Sequence, residues 1–218
     1  MLLIVNCIRY GKGVCMVTAD PLVDTLLLEA ARQEFSEKTF AEASLRSICQ
    51  KAGVTTGAFY NRYSNKEEIF EAVVATAVAK IDHLCKQIEA RNYDSLDAGD
   101  MKRTWDATSQ TQAQVINALY DDYDTFRILL SHAEGTRYSH FIEDLVTHIT
   151  KRSMLFVDEV DARGVAPKGI DEEEFHMLAT AYYGTLFEPL VRGYSRERAL
   201  RHSEIVAKLF NWTDIFGF

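Results

Sequence analysis

The sequence predicts an all-α protein, and three observations predict it. Only three prolines and eleven glycines punctuate 218 residues, so long stretches are free of both helix breakers. Apolar residues recur at three- and four-residue spacings rather than alternating, which is the helical period and not the strand period. Short helical patterns at the start give way to long ones, which suits about nine helices in two bodies, a small amino-terminal unit and a larger carboxy-terminal one. A content of 47% hydrophobic and 26% charged residues is that of a soluble globular chain.

Residues 1–18 read as an arm without a regular pattern. Met-Leu-Leu-Ile-Val resembles the apolar part of a signal peptide, but no basic residue precedes it, and Asn6, Arg9 and Lys12 interrupt it. The run is also far too short to span a bilayer. The first helix follows, with Asp20 as its cap, Pro21 in its first turn, and Leu22, Leu26, Leu27, Ala30, Ala31 and Phe35 on one side as far as Ser36. Ser44 then caps a short helix with Leu45, Ile48 and Cys49 inward, ending at Ala52-Gly53. Thr55 caps another, from Thr56 to about Tyr63, with Phe59 and Tyr63 inward.

Ser64 or Asn65 starts a long fourth helix with Glu67 and Glu68 in its favourable first turn, and Ile69, Phe70, Val73, Val74, Ala77 and Ile81 along one side. The polar stretch 92–100 reads as a loop. Further helices are expected at about 102–119, 121–133, 137–163, 171–192 and 195–214. The organisation expected is an arm at 1–18, a three-helix unit at 19–66 and a helical body at 67–218.

The formal net charge of −8 argues at first against a polyanionic partner. Its distribution reverses that argument. Residues 1–66 carry eight Lys/Arg against six Asp/Glu, whereas the remainder carries 16 against 26, so the acidity belongs to the second body. The four cysteines, at positions 7, 15, 49 and 85, form no C-x-x-C pair, and a chain of this size needs no disulfide staples, so a reducing cytoplasm is the expected home.

Two short helices joined by Ala52-Gly53-Val54 make a helix-turn-helix, in which the second helix lies in the DNA major groove. The outward face of that helix carries Thr56, Gly57, Tyr60, Asn61 and Arg62. Gly57 removes a side chain where helix and groove come close, Asn61 can read a base edge, and Thr55, Tyr60 and Arg62 can bond phosphates. Lys66 at the start of the next helix, and Ser44 with Arg46 at the start of the second, suit phosphates as well. The same spacing also fits an ordinary corner between short helices.

The run Ala-Ser-Leu-Arg-Ser-Ile-Cys-Gln-Lys-Ala-Gly-Val-Thr-Thr-Gly-Ala-Phe-Tyr-Asn-Arg-Tyr-Ser-Asn-Lys-Glu-Glu-Ile-Phe, residues 43–70, resembles the amino-terminal domain of the tetracycline-repressor (TetR) family. Leu27-Leu28-Glu29-Ala30-Ala31 and Phe35 are similar to that family's first helix. The resemblance places a backbone-contacting tyrosine at Tyr60, a phosphate-binding lysine at Lys66 and the start of the recognition helix at Thr55, Thr56 and Gly57. Thr39 departs from the family, which has glycine after the first helix. Implied by the resemblance are a double-stranded DNA operator, a homodimer, a small-molecule effector and a regulatory rather than enzymatic role without a cofactor.

The carboxy-terminal body holds no comparable motif. The segments 175–191 and 200–218 are apolar enough to pair with their symmetry mates as a four-helix dimer interface, or to form an ordinary core. The family resemblance implies that some of Trp105, Tyr120, Tyr123, Phe126, Phe141, Tyr182 and Tyr183 line a cavity for an apolar or aromatic effector. For any single one of them, core packing is the better explanation. His140, Asp144 and His148 recur at four-residue intervals, a weak metal-ligand pattern that also suits a solvated polar flank. A DNA-binding factor without a small-molecule effector is one rival reading; a helical metal-dependent enzyme built on that ladder is another, but no nucleophile elbow, phosphate loop or H-E-x-x-H motif accompanies it.

Overall fold

The structure, a computed structural model, describes residues 21–97, 99, 108–164 and 169–216. The expected arm and Trp105 lie outside these residues. The described elements are all helical: α1 (Pro21–Glu37), α2 (Leu45–Ala52), α3 (Thr56–Tyr60), α4 (Lys66–Asp97), α5 (Thr108–Tyr120), α6 (Tyr123–Ser131), α7 (Phe141–Ala162), α8 (Glu172–Val191), α9 (Arg196–Leu209) and α10 (Trp212–Phe216). No helix among the described residues is long and apolar enough to cross a membrane.

The chain divides into two compact units, with the boundary inside α4 between Ala79 and Lys80. The first gathers residues 21–79 and Asp122–Phe141, so it is larger than the expected 19–66 and takes α6 from far along the chain. Its core is aromatic. Phe35 meets Phe70 edge-on at 5.0 Å, Phe40 meets Phe70 at 5.4 Å, and Tyr138 closes the cluster.

α6 belongs here because α1 packs on it and because His132, at its end, ties down the turn after α1. The His132 ring Nδ1–H donates to the Phe35 carbonyl at 2.6 Å, and its own carbonyl accepts the Phe40 N–H at 2.9 Å. Where the family has a glycine, Thr39 closes the turn by donating both its N–H and its hydroxyl to Glu42.

One face of α1 differs from expectation. Leu22 is 63% exposed and Leu26 37%, while Leu27, Ala30, Ala31, Glu34 and Phe35 are buried. Three consecutive leucines at 26–28 leave the phase of the stripe ambiguous, and the position that settles it is a charged one, Glu34.

The second unit holds the rest of α4 with α5 and α7 to α10. α4 runs through 92–97, where a loop was expected, because Tyr93 and Leu96 lie one turn apart and pack with Phe156 and Val160 of α7. The expected helix 195–214 is two helices broken at Phe210-Asn211. The break returns Trp212 and Phe216 onto Phe175, at 5.5 and 5.8 Å between ring centroids. α7 starts at Phe141 rather than 137, because Thr136 and Ser139 hydroxyls bond local carbonyls in the preceding turns.

α8 opens with a capping box, in which Asp171 accepts the Glu174 N–H and the Glu174 carboxylate accepts the Asp171 N–H. It also contains Pro189, which has no N–H for the Thr185 carbonyl one turn back. His202 on α9 supplies that donor instead, with Nε2 at 3.0 Å from the Thr185 oxygen.

Candidate nucleic-acid interface and internal cavity

In the first unit, α2 and α3 are joined at Gly53, whose φ of 67° is the left-handed conformation that ends α2. The Val54 N–H bonds the Cys49 carbonyl at 3.0 Å and the Gly53 N–H the Gln50 carbonyl at 3.2 Å, which completes the cap. Ser44 stands at the N-cap position of α2, but its side chain makes no cap bond. Glu34 does part of that work from α1, accepting the Ser44 N–H at 3.4 Å.

Glu34 is the fixed point of this unit. Its side chain has no exposed surface, and it pairs with Lys38 at 2.7 Å and Lys51 at 3.0 Å while accepting the Ser47 hydroxyl at 2.6 Å. Burial pushes its pKa up, but the bonds from Lys38, Ser47, Lys51 and the Ser44 N–H outweigh burial and bring it from 4.5 to about 2. The carboxylate therefore stays charged and holds α2 in register against α1.

Against this frame α3 presents a polar face. Phe59 and Tyr63 point inward with at most 7% exposure, as the periodicity required. Thr55, Thr56, Gly57 and Asn61 are exposed, and Tyr60 is 58% exposed. Thr55 caps α3 by accepting the Ala58 N–H at 3.1 Å, which leaves its hydroxyl proton for another acceptor. A Cβ on Gly57 would meet nothing closer than the Thr55 hydroxyl at 3.7 Å, so the protein itself does not demand glycine there. Ser44 and Arg46 are exposed on α2.

Two expected phosphate contacts are placed differently. Arg62 does not face outward with Tyr60: its Nε pairs with Asp24 of α1 at 2.5 Å and its Nη1 donates to the Ala58 carbonyl. Lys66 sends its ammonium inward to the carbonyls of Phe40 at 2.6 Å and Ala43 at 3.0 Å, over the Phe40 ring, and burial lowers its pKa. Both side chains hold the helices in place. Asn65 rather than Ser64 caps α4, accepting the Glu68 N–H at 2.9 Å.

The second unit contains a cavity of about 190 Å³ walled by α4, α5, α7, α8 and α10. Ile81, Leu84, Ile88, Val115, Leu145, Ile149, Phe175, Leu186, Phe187 and Trp212 make it mainly apolar, and a side lobe of about 100 Å³ reaches Tyr93, His148 and Phe156. Of the aromatics expected to line a cavity, Tyr182 and Tyr183 do so. Phe126 and Phe141 are instead buried in the first unit, because α6 and the start of α7 pack there, and Tyr123 lies with them. Tyr120 donates its hydroxyl to the Tyr194 carbonyl.

Burial raises the Tyr182 hydroxyl to about 12, against a smaller opposing effect of its bond from Gln112 at 2.9 Å; burial pushes Tyr183 well up too. Both hydroxyls stay protonated.

The polar lining was missed by sequence reasoning: Arg91, Asn92, Thr111, Gln112 and Ser153. Gln112 carried a signal, since it precedes Ile116 and Leu119 on one face of α5 and is only 2% exposed. The histidine ladder does not gather. His140 precedes α7 and is exposed, as is Asp144, while His148 is half-buried at the side lobe. Among the described residues no group of three or more His, Cys, Asp or Glu is arranged to hold a metal.

Residues 27–73 match the family model of bacterial regulatory proteins, tetR family. The chain is 33% identical over 169 residues to the HTH-type transcriptional regulator TtgR of Pseudomonas putida, covering 72% of this chain and 74% of that protein. The chain belongs to the TetR family. TetR-family regulators are ligand-responsive DNA-binding repressors, and the helix-turn-helix built on Glu34 is the part this chain shares with them. An HTH-type transcriptional regulator of Haemophilus influenzae is 26% identical over 64% of this chain and 70% of its own length.

The whole fold is also that of the family. A transcriptional regulator from Aquifex aeolicus superposes with a TM-score of 0.58 at 16% identity, over 86% of this chain and 99% of that one. FadR from Bacillus subtilis, solved with stearoyl-CoA, superposes with a TM-score of 0.53 at 17% identity, over 85% and 96%.

Proposed function

We propose that this TetR-family chain is a homodimeric repressor that binds a palindromic operator in the cytoplasm and is released from it by a small molecule held in the cavity of the second unit. The observation that carries the reading is the face of α3. Thr55, Thr56, Gly57, Tyr60 and Asn61 are exposed together, on a helix whose other side is locked by Phe59 and Tyr63. Thr56, Gly57 and Asn61 meet bases, while Thr55, Tyr60, Arg46 and Ser44 meet phosphates. Lys66 and Arg62 contribute by fixing the helices that carry these groups.

Dimerisation uses α8 and α9. Met177, Val191, Ile205 and Leu209 are large apolar residues on their exposed surfaces, and a Cβ on Gly184 of α8 would meet nothing within 4 Å, which leaves room for a partner helix. α4 supplies Lys66 and Phe70 to the first unit and Ile81 to Asn92 to the cavity, so one continuous helix serves both tasks. A ligand that prefers one setting of α4 shifts the population of DNA-competent dimers.

The test is selection of duplexes from random DNA by the full-length chain. The expected product is a palindrome with half-site centres about 34 Å apart, bound by two chains. Enrichment of a single asymmetric site, or of none, overturns the reading.

A further inference from the structure

We infer that the cavity of the second unit takes an amphipathic carboxylic acid, with its apolar body against Ile88, Ile149 and Leu186 and its carboxylate on Arg91 and Thr111. This rests on the reading of the cavity as the effector site.

The charged group of the cavity and its polar neighbours Asn92, Thr111 and Gln112 are collected where α4 meets α5. Arg91 Nη2 donates to the Thr111 hydroxyl at 2.6 Å, and Gln112 follows Thr111 in the chain. Away from this junction the walls are mainly hydrocarbon and aromatic rings, with Cys85, Ser153, Tyr182 and Tyr183 the residues there that carry polar atoms. Such a wall orients a ligand with one polar end and one apolar body.

Arg91 is the cation of that junction, and among the described residues it has no anion. Elsewhere in the same acidic unit, Arg163 has Asp97 and Glu159, Arg152 has Glu89 and Arg196 has Asp121. The one bond of Arg91 goes to a neutral hydroxyl, and its Nε is buried with no protein acceptor. A carboxylate laid against the Nε and Nη2 edge supplies two parallel charge-assisted bonds and removes that deficit.

Gln112 supports the same occupant. Its Oε1 is buried with no protein donor while its Nε2 bonds the Tyr182 hydroxyl. A tyrosine hydroxyl both donates and accepts, so the amide can turn over, take the Tyr182 proton on Oε1 and offer its NH2 to an acid. A neutral alcohol or phenol would serve Oε1 as it stands but would leave Arg91 unpaired.

The route in lies beside the same residues. A surface groove of about 560 Å³ shares Leu84, Ile88, Arg91, Thr111 and Val115 with the cavity, so the Arg91–Thr111 bond sits in the wall between them.

The test is calorimetric titration of the full-length chain with 1-naphthoate and decanoate against their methyl esters, followed by operator binding with each compound present. The acids are expected to bind at least about tenfold tighter than the esters. R91M should abolish that ratio, whereas R91K, which keeps the charge, should retain most of it. Thermal melting of both variants separates lost binding from lost folding. Equal affinity for acids and esters, no binding of either, or a ratio unchanged in R91M overturns the inference. Esters that bind as well as acids and still release the operator refute the acid preference and leave the effector reading standing. Acids that bind with the expected preference yet leave operator affinity unchanged do the reverse.

Discussion

Glu34 on α1 accepts the Ser47 hydroxyl of α2 at 2.6 Å from a position with no exposed surface. Lys38 and Lys51 supply the compensating charge that lets a carboxylate sit there. The geometry of the DNA-binding helices thus depends on an ion cluster centred on a buried carboxylate.

The first prediction is a pH dependence. Folded Glu34 gains its proton only near pH 2, against 4.5 for the ordinary group. Its contribution is therefore complete above about pH 5, and is lost progressively as pH falls toward 2. At neutral pH, E34Q should lower stability by up to about 3 kcal/mol, and the gap to the parent should shrink at pH 3. Denaturant unfolding at the two pH values measures it.

The two glycines of the reading head should behave oppositely. G53A forces a left-handed φ on alanine and should cost about 1 kcal/mol of stability. G57A finds open space within the protein, so it should leave the melting temperature unchanged while weakening operator binding by placing a methyl group in the groove. Melting curves and fluorescence anisotropy on the same samples check both.

Tyr60 and Asn61 should separate affinity from sequence choice. Y60A is expected to weaken binding to all duplexes alike, and N61A to change the preferred base at one position by roughly 1 to 3 kcal/mol. Unchanged preference in N61A would remove it from the base-reading set. K66A, by contrast, should lower stability first, since its ammonium caps the carbonyls of Phe40 and Ala43.

The exposed apolar residues of α8 and α9 give a prediction about assembly. M177E combined with I205E should turn the dimer into a monomer in sedimentation experiments and abolish tight operator binding, with each unit still folded. A dimer that survived both charges would place the interface elsewhere.

A double-mutant cycle tests the bond between α8 and α9. H202A leaves the Thr185 carbonyl without its donor and should cost about 1 to 3 kcal/mol. P189A restores a backbone N–H to that carbonyl, so P189A/H202A should be less destabilised than the two single effects summed.

The reading head was legible in the sequence because every signal there was local. Gly53 needed only its own φ, Thr55 only the N–H three residues on, and Phe59 and Tyr63 only the helical period. Glu34, Arg62 and Lys66 were harder because their partners lie across tertiary contacts. A lysine that bonds three loop carbonyls looks in sequence like one waiting for phosphate.

The cavity was least legible. Tyr182 and Phe126 are both buried aromatic rings, and the sequence does not show that the packing of α6 against α1 puts Phe126 in a solid core while Tyr182 reaches a cavity wall. The run after Asn92 looked like a loop by composition, yet two residues one turn apart, Tyr93 and Leu96, had enough apolar contact to continue the helix.

The capture of α6 by the first unit bears on how the chain is made. His132 and Tyr138 close the aromatic cluster of Phe35, Phe40 and Phe70, so during synthesis the reading head stays unfinished until residue 141 has left the ribosome. The described residues 80–97 and 108–121, which belong to the other unit, are by then already emerged and unpaired with their later partners. Neither unit can complete itself first as an uninterrupted piece of chain, and a fragment cut at residue 79 would carry α1, α2 and α3 on a core with its lid missing.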